Sequence, residues 1–268
     1  MNILVYGCGT MAGAMVEGWL RAGVDPARIT AYNPRPKQVA EGVTLVTEVP
    51  DTAFDAVVLG FKPHMLADVA PEMAEVTRGA IVLSILAGVE LATLEERLPT
   101  ARGWVRFMPN LAVALGKSPN ALAERGLTEA DRGAVTELAR LLGSAEWLAD
   151  ESQFELVTAL AGSGPGFVYR FIDALSAAAS DLGLQRDQAQ RLAVQMVEGA
   201  SALAAASEHS PHELARRVAS PGGMTQKGLD VLDENAALRQ LMTACLAAAR
   251  DRGLEMGREA RKSAEKDG

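Results

Sequence analysis

The sequence predicts an α/β fold: a doubly wound parallel sheet in the first part of the chain, followed by an all-helical domain. Three observations carry this. Short apolar runs alternate with helical stretches up to about residue 150, a glycine-rich loop joins the first run to the first helix, and strand signals disappear after Asp150. The predicted boundary therefore falls between residues 150 and 151, dividing the chain into 1–150 and 151–268.

The strands read as Ile3–Tyr6, Ile29–Tyr32, Ala56–Leu59, Ala80–Ile85 and Trp104–Met108. Nearly continuous apolar runs of this length suit parallel strands covered on both faces. Between them Ala12–Ala22 and Met65–Thr77 have helical periodicity. The second part reads as helices over roughly 153–182, 187–207, 211–218, 225–234 and 236–260, with the charged tail after Gly257 expected to fray. Ser210-Pro211-His212-Glu213 is a capping box with proline at the first helical position, which marks one helix start. Small residues fill Glu198–Ser207, allowing close helix approach either within the subunit or across an interface.

Composition excludes several classes. Apolar residues make up 49% of the 268 and aromatics 4%, as in a compact helix-rich globular protein. A net charge of −8 argues against a nucleic-acid partner, whose phosphates need a basic surface. Cys8 and Cys245 form no CxxC, and His64, His209 and His212 have no metal-ligand spacing, so no metal is expected. The apolar start is too short for a secretory signal. The long apolar stretch Phe154–Leu184 is broken by glycines and carries Arg170 and Asp173, so no membrane span and a cytoplasmic location are expected.

Gly7-Cys8-Gly9-Thr10-Met11-Ala12 is G-x-G-x-x-A, placed directly after a strand and opening a helix. The first glycine allows the tight turn, the second admits a pyrophosphate to the backbone, and the small last residue lets helix and strand pack. In this context the loop predicts a Rossmann-like dinucleotide site, the phosphate resting on the helix N-terminus. After the second strand stands "AYNPRPK", with Asn33, Arg35 and Lys37 where NAD binders place an acid. A cation and an amide suit a 2′-phosphate, which favours NADPH, with NADH as the alternative.

Ligands of such sheets collect beyond the carboxyl ends of the strands. Gly60-Phe61-Lys62-Pro63, Ile85-Leu86-Ala87 and Met108-Pro109-Asn110 all fall there. In the helical part, Ser220-Pro221-Gly222-Gly223-Met224-Thr225 runs into a helix start, and the N–H groups of Gly222, Gly223, Met224 and Thr225 are expected to face outward, fit for a carboxylate. Composition alone favours the plainer reading, in which Thr225 only caps its own helix and Ser220-Pro221-Gly222-Gly223 is a sharp turn.

A family pattern decides between these readings. "VASPGGMTQKGLDVLDE" resembles the C-terminal signature of pyrroline-5-carboxylate reductases, and "GCGTMAGAM", "FKPHML", "SILAGV", "RFMPN" and "ALAGSGPGFVYRFIDAL" follow in that family's order, over nearly the whole chain. The resemblance implies transfer of a hydride from NADPH or NADH to the imine carbon of 1-pyrroline-5-carboxylate, giving L-proline. It further implies an interlocked homodimer that can assemble into decamers. Carried over by position, Ser220, Gly222, Gly223, Met224 and Thr225 would hold the substrate, with Thr225 catalytic, and Glu151 would approach the ring nitrogen. Leu111-Ala112, Gly166 and Thr47 depart from the family's usual residues, which leaves room for a reductase of a related cyclic imine. Two rivals remain. A 3-hydroxyacid-type dehydrogenase would carry a catalytic lysine that the stretch from Glu151 to Glu208 lacks. A non-catalytic nucleotide sensor would have no need of Thr225.

Overall fold

The structure, a computed structural model, describes residues 1–266, with side-chain surroundings through Glu259. Expected fraying after Gly257 concerns in part residues outside that range; up to Lys266 the last helix continues.

The first part alternates as the sequence predicts. Strands are β1 (Ile3–Tyr6), β2 (Ile29–Tyr32), β3 (Thr44–Val46), β4 (Ala56–Leu59), β5 (Ile81–Ser84), β6 (Gly103–Met108), β7 (Ser118–Arg125) and β8 (Gly143–Trp147). Helices α1 (Thr10–Arg21), α2 (Leu66–Met73), α3 (Leu91–Arg97) and α4 (Glu129–Arg140) lie between them. They form one eight-stranded sheet of order β3-β2-β1-β4-β5-β6-β7-β8. The order reverses between β1 and β4, the switch point at which such sheets open a crevice. Tyr6 is in register with both Tyr32 and Leu59, so the loops after β1, β2 and β4 leave the sheet at one level.

Alternate residues of each strand feed two cores. Ile3, Val5, Val58, Leu83 and Phe107 pack with Met15 and Trp19 of α1 and with Val135 and Leu138 of α4. Leu4, Val57, Leu59 and Val82 pack with Leu66 and Met73 of α2 and with Leu91 and Leu94 of α3. Both faces are thus covered, and the strands are apolar throughout for that reason. The expectation of a parallel sheet needs one correction. β7 is antiparallel to β6, and β8 is parallel to β7, so the last two strands run against the other six. A short 3-10 turn at Leu111–Leu115 connects β6 to β7, a link too short for the crossover that a parallel strand would need.

By packing, the chain forms two units: Met1–Ser163 with Ala248–Gly268, and Gly164–Ala247. The break falls inside the long helical run. There α5 (Phe154–Val157) passes into a π turn at Thr158–Gly162 before α6 (Gly164–Asp181) begins. In the π turn Ser163 N donates to Thr158 O at 3.0 Å. The second unit continues with α7 (Arg186–Ala206), α8 (Pro211–Val218), α9 (Met224–Asp233) and the first part of α10 (Ala237–Lys266). The capping box at Ser210 forms with both of its reciprocal bonds. Few residues of this unit are closed off: Ser176, Ala189, Ala193 and Ala219 are buried, while Tyr169, Leu182, Leu203, Val218 and Val231 lie open. So much apolar surface on one chain marks a face made for protein contact.

Candidate functional site

The glycine loop folds as its spacing requires. Gly7 takes φ +89, and its N–H donates to Tyr32 O at 2.9 Å. A Cβ there would lie 3.0 Å from Phe61 N, and one on Gly60 would strike Gly7 O, so the loops after β1 and β4 touch backbone to backbone. Gly9 is the N-cap of α1; no side chain caps it and its first turn has no acid. Gly9 N donates to Gly7 O at 3.0 Å and the first intrahelical bond is Gly13 N to Gly9 O at 2.8 Å, which leaves the N–H groups of Thr10, Met11 and Ala12 for a ligand. Thr10 is exposed, Met11 half-buried, and Ala12 buried against the core. These features fit a dinucleotide phosphate: bare backbone, an open helix start and no competing carboxylate.

Beside the loop runs a cleft of about 590 Å³ lined by Cys8, Gly9, Thr10, Glu17, Lys37 and Leu111, among others. Lys37 reaches back over the loop, and its Nζ donates to Cys8 O at 2.7 Å. Burial pushes the Cys8 thiol above its ordinary range, with the Lys37 ammonium pulling the other way. Asn33 is tied down: its N–H donates to Val46 O at 3.0 Å and its Nδ2 to Arg35 O at 2.9 Å. Arg35 itself is exposed.

Of the remaining sheet-end loops, Phe61 is half-buried and edge-on to Tyr6 with ring centres 5.7 Å apart, while Lys62 is exposed before a turn at Pro63–Met65. Leu86 turns into the core, so between half-buried Ile85 and Ala87 only its backbone is offered to a ligand. Asn110 is 6% exposed and much of its amide serves the fold. Its Oδ1 accepts from Ala112 N at 2.9 Å, and its Nδ2 donates to Ala161 O of the π turn at 2.9 Å.

Glu151 is held in place by the fold. Its Oε1 accepts from Leu91 N at 2.8 Å and from Arg106 Nη1 at 3.2 Å, so this carboxylate is already engaged within the first unit. The cause is Arg106, a guanidinium 2% exposed on β6 that requires counter-charge. Glu155 supplies the second bond, to Nη2 at 2.6 Å, and the Phe154 ring lies 3.8 Å from Cζ. Arg106 Nε is buried with no partner among the described residues. The sequence reading passed over this cluster, although a charge inside the apolar run Trp104–Met108 and acids four residues apart at 151 and 155 were there to read.

In the second unit, Gly222 takes φ +72 and Gly223 is the N-cap of α9, again with no side-chain cap and no acid in the first turn. One predicted donor is withdrawn: Gly223 N donates to Ser220 O at 2.9 Å, closing the turn. The first bond of α9 is Lys227 N to Gly223 O, so Met224 and Thr225 keep open N–H groups. The Thr225 hydroxyl makes no bond among the described residues and is exposed, so it does not cap its own helix. Ser220 is exposed and Met224 is 94% exposed. No group of three or more acids, histidines or cysteines able to hold a metal occurs among the described residues.

Comparison with known proteins adds the following. A family model described as pyrroline-5-carboxylate reductase dimerisation matches residues 151–256, and one described as NADP oxidoreductase, coenzyme F420-dependent, matches residues 2–88. A pyrroline-5-carboxylate reductase of Pseudomonas aeruginosa is 34% identical over 267 residues, 96% of this chain and 97% of the relative. One from Escherichia coli is 32% identical over 260 residues, 90% and 94% of the two chains. Among solved structures, a pyrroline-5-carboxylate reductase from Coxiella burnetii superposes with TM-score 0.84 at 31% identity, covering 95% of this chain and 97% of that one. A pyrroline carboxylate reductase from Plasmodium falciparum with NADP bound gives TM-score 0.80 at 23% identity, covering 96% and 98%. The latter speaks to the fold alone.

Proposed function

Because the chain belongs to the pyrroline-5-carboxylate reductase family, we infer that it is an NAD(P)H-dependent oxidoreductase that reduces 1-pyrroline-5-carboxylate to L-proline, the last step of proline biosynthesis. The observation that carries this at the site is the start of α9: open N–H groups at Met224 and Thr225 and a hydroxyl that caps nothing, in the element most characteristic of the family.

Residues 1–150 form the dinucleotide-binding domain, and 151–268 the substrate-binding and dimerisation domain. Gly7, Cys8, Gly9, Thr10, Met11 and Ala12 hold the pyrophosphate, Asn33 and Arg35 face the adenosine end, and the loops at Gly60–Pro63, Ile85–Ala87 and Asn110 surround the nicotinamide. NADPH, the preferred cofactor over NADH, supplies the hydride when bound. The N–H groups of Met224 and Thr225, with Ser220 and Gly222 alongside, hold the substrate carboxylate, and the glycine at 223 keeps the approach clear. Thr225 donates its hydroxyl to the ring nitrogen as the imine becomes an amine. An iminium is already electrophilic, so orientation and charge complementarity supply most of the rate, and no histidine base is needed. Glu151, anchored through Oε1 by Leu91 N and Arg106 Nη1, approaches the ring nitrogen of the substrate.

The chain forms homo-oligomers, with a dimer through 151–268 as the building block and a decamer as a higher assembly. With a net charge of −8, nucleic acid is not a partner. Among the described residues no helix is long and apolar enough to cross a membrane, and the protein works in the cytoplasm. The decisive experiment is steady-state NADPH oxidation with pyrroline-5-carboxylate, piperideine-6-carboxylate and 3-hydroxyacids as competing substrates. Turnover of the first, well above the others, is expected. Preference for the six-membered imine would shift the reading to a related imine reductase, and activity on a hydroxyacid alone would overturn it.

A further inference from the structure

We propose that Arg106 is a positioning residue for imine reduction: it binds one oxygen of Glu151 and leaves the other for the cationic ring nitrogen of the substrate. The inference rests on the reductase reading above.

Arg106 shares a face of β6 with Trp104 and Met108, the face covered by α3 and Phe154. A guanidinium in such surroundings must be compensated where it stands. Two carboxylates meet it, and they meet it unequally. Glu155 makes the nearer bond, Oε1 to Nη2 at 2.6 Å, and its Oε2 lies against α10, 2.7 Å from where a Cβ on Gly253 would stand. Its side chain is 12% exposed, that of Glu151 27%. Glu151 gives up Oε1 alone, to Arg106 Nη1 at 3.2 Å and to Leu91 N at 2.8 Å. No described residue binds its Oε2.

The charges of the cluster do not cancel. One guanidinium faces two carboxylates, and the shorter bond goes to Glu155, so the surplus negative charge falls to Glu151, the more open of the pair. Arg125, which also feels Glu151, is paired with Glu95 at 2.8 Å. Two anchors from different elements, β6 and the start of α3, hold Oε1, so Oε2 is ordered before any ligand arrives. An iminium complements such a group. Hydride addition sends the C=N pair onto nitrogen, and the positive charge there disappears in the step. A carboxylate beside that nitrogen therefore favours the bound iminium over the transition state, and its removal should act on the Michaelis constant and spare turnover.

The test takes the intact oligomer as parent, Glu151→Gln, Arg106→Lys, Glu155→Gln and the double variant of the first two. Steady-state kinetics with pyrroline-5-carboxylate are read beside calorimetric titration of the NADPH-loaded protein with L-proline and with tetrahydrofuran-2-carboxylate, the same ring with oxygen in place of the charged nitrogen. Glu151→Gln keeps the anchored oxygen and removes the charge. It is expected to raise the KM and the Kd for L-proline by about tenfold or more, the loss of one charge-assisted hydrogen bond, with kcat and the oxygen ring's Kd changed less than about threefold. A lone ammonium cannot fork between two carboxylates, so Arg106→Lys should show the same selective pattern more weakly. The double variant should then match Glu151→Gln, because Arg106 acts through that residue. Glu155→Gln, which removes the rival and lets the guanidinium draw in both oxygens of Glu151, should also weaken L-proline selectively. Equal weakening of the two rings in Glu151→Gln, or parent-like constants there, would overturn the proposal and leave the cluster as a brace of the fold. Additive losses in the double variant, or unchanged L-proline binding in Glu155→Gln, would overturn the positioning. A parent that prefers L-proline to the oxygen ring yet fails to reduce pyrroline-5-carboxylate would sink the reductase reading and leave the cluster's role standing.

Discussion

Thr225 and Gly223 divide the work of one turn, and single substitutions separate them. Thr225→Val keeps the shape and removes the donor. Loss of one preorganised donor lowers turnover by roughly 10²–10³-fold in acyl transfer; an iminium needs less help, so about 10²-fold or below is expected, with NADPH affinity unchanged by titration. Gly223→Val should act on the Michaelis constant for substrate, because the new side chain starts 3.1 Å from Ser220 O and crowds the donors. Parent-like kinetics in both variants would reduce the loop to a helix start. Arg106 belongs to the same scale but to stability. Removing a buried cation from two carboxylates leaves uncompensated charge, so Arg106→Met should destabilise by about 3–5 kcal/mol, read as a fall in the thermal midpoint. A midpoint within a degree or two of the parent would show that Glu151 and Glu155 find solvent instead.

Among the elements, α10 closes on the first unit through glycines. A Cβ on Gly253 would lie 2.7 Å from Glu155 Oε2, and one on Gly257 would lie 3.0 Å from Gly88 O, in the loop that follows β5. Gly257→Val should therefore destabilise by about 1–3 kcal/mol and weaken dinucleotide binding through that loop. Gly133→Ala provides the contrast. It sits exposed in α4 with nothing near its Cβ position and should stabilise by about 0.5–1 kcal/mol. Thermal unfolding of the two variants beside the parent checks both signs. The elements also show what a sequence conveys. β1, β2, β4, β5 and β6 were legible because each is a buried apolar run, and the glycine loop because its spacing is a mechanical requirement. β3 was missed since it is three residues long and incompletely buried, β8 because its residues GSAEW are polar or small and only partly buried, and β7 because it opens with Ser118-Pro119-Asn120, residues that read as a turn. α4 carried a readable sign in Thr128, whose side chain accepts from Asp131 N. The Asn110 bridge to the π turn joins positions 51 apart and left no local signal.

At the scale of the molecule, the helical unit carries its apolar residues outward. Leu182 is 90% exposed and Leu203 71%, the latter inside the small-residue run Glu198–Ser207. That run is expected in the subunit interface. Light scattering at micromolar concentration should give a dimer or a larger assembly, and Leu203→Glu, placing a charge where a partner packs, should shift the mass downward. A fully active monomer would refute the assignment. The return of α10 to the first unit has a further consequence for anyone cutting the gene. Topologically, Gly164–Ala247 is an insertion and not an appendage. A stop codon after Ser163 would strip away the helix that covers Gly88 and Glu155 and expose the ground beneath it. Splicing Ser163 to Ala248 through a flexible bridge would excise the helical unit alone, and only that second protein could report on whether the nucleotide fold stands by itself.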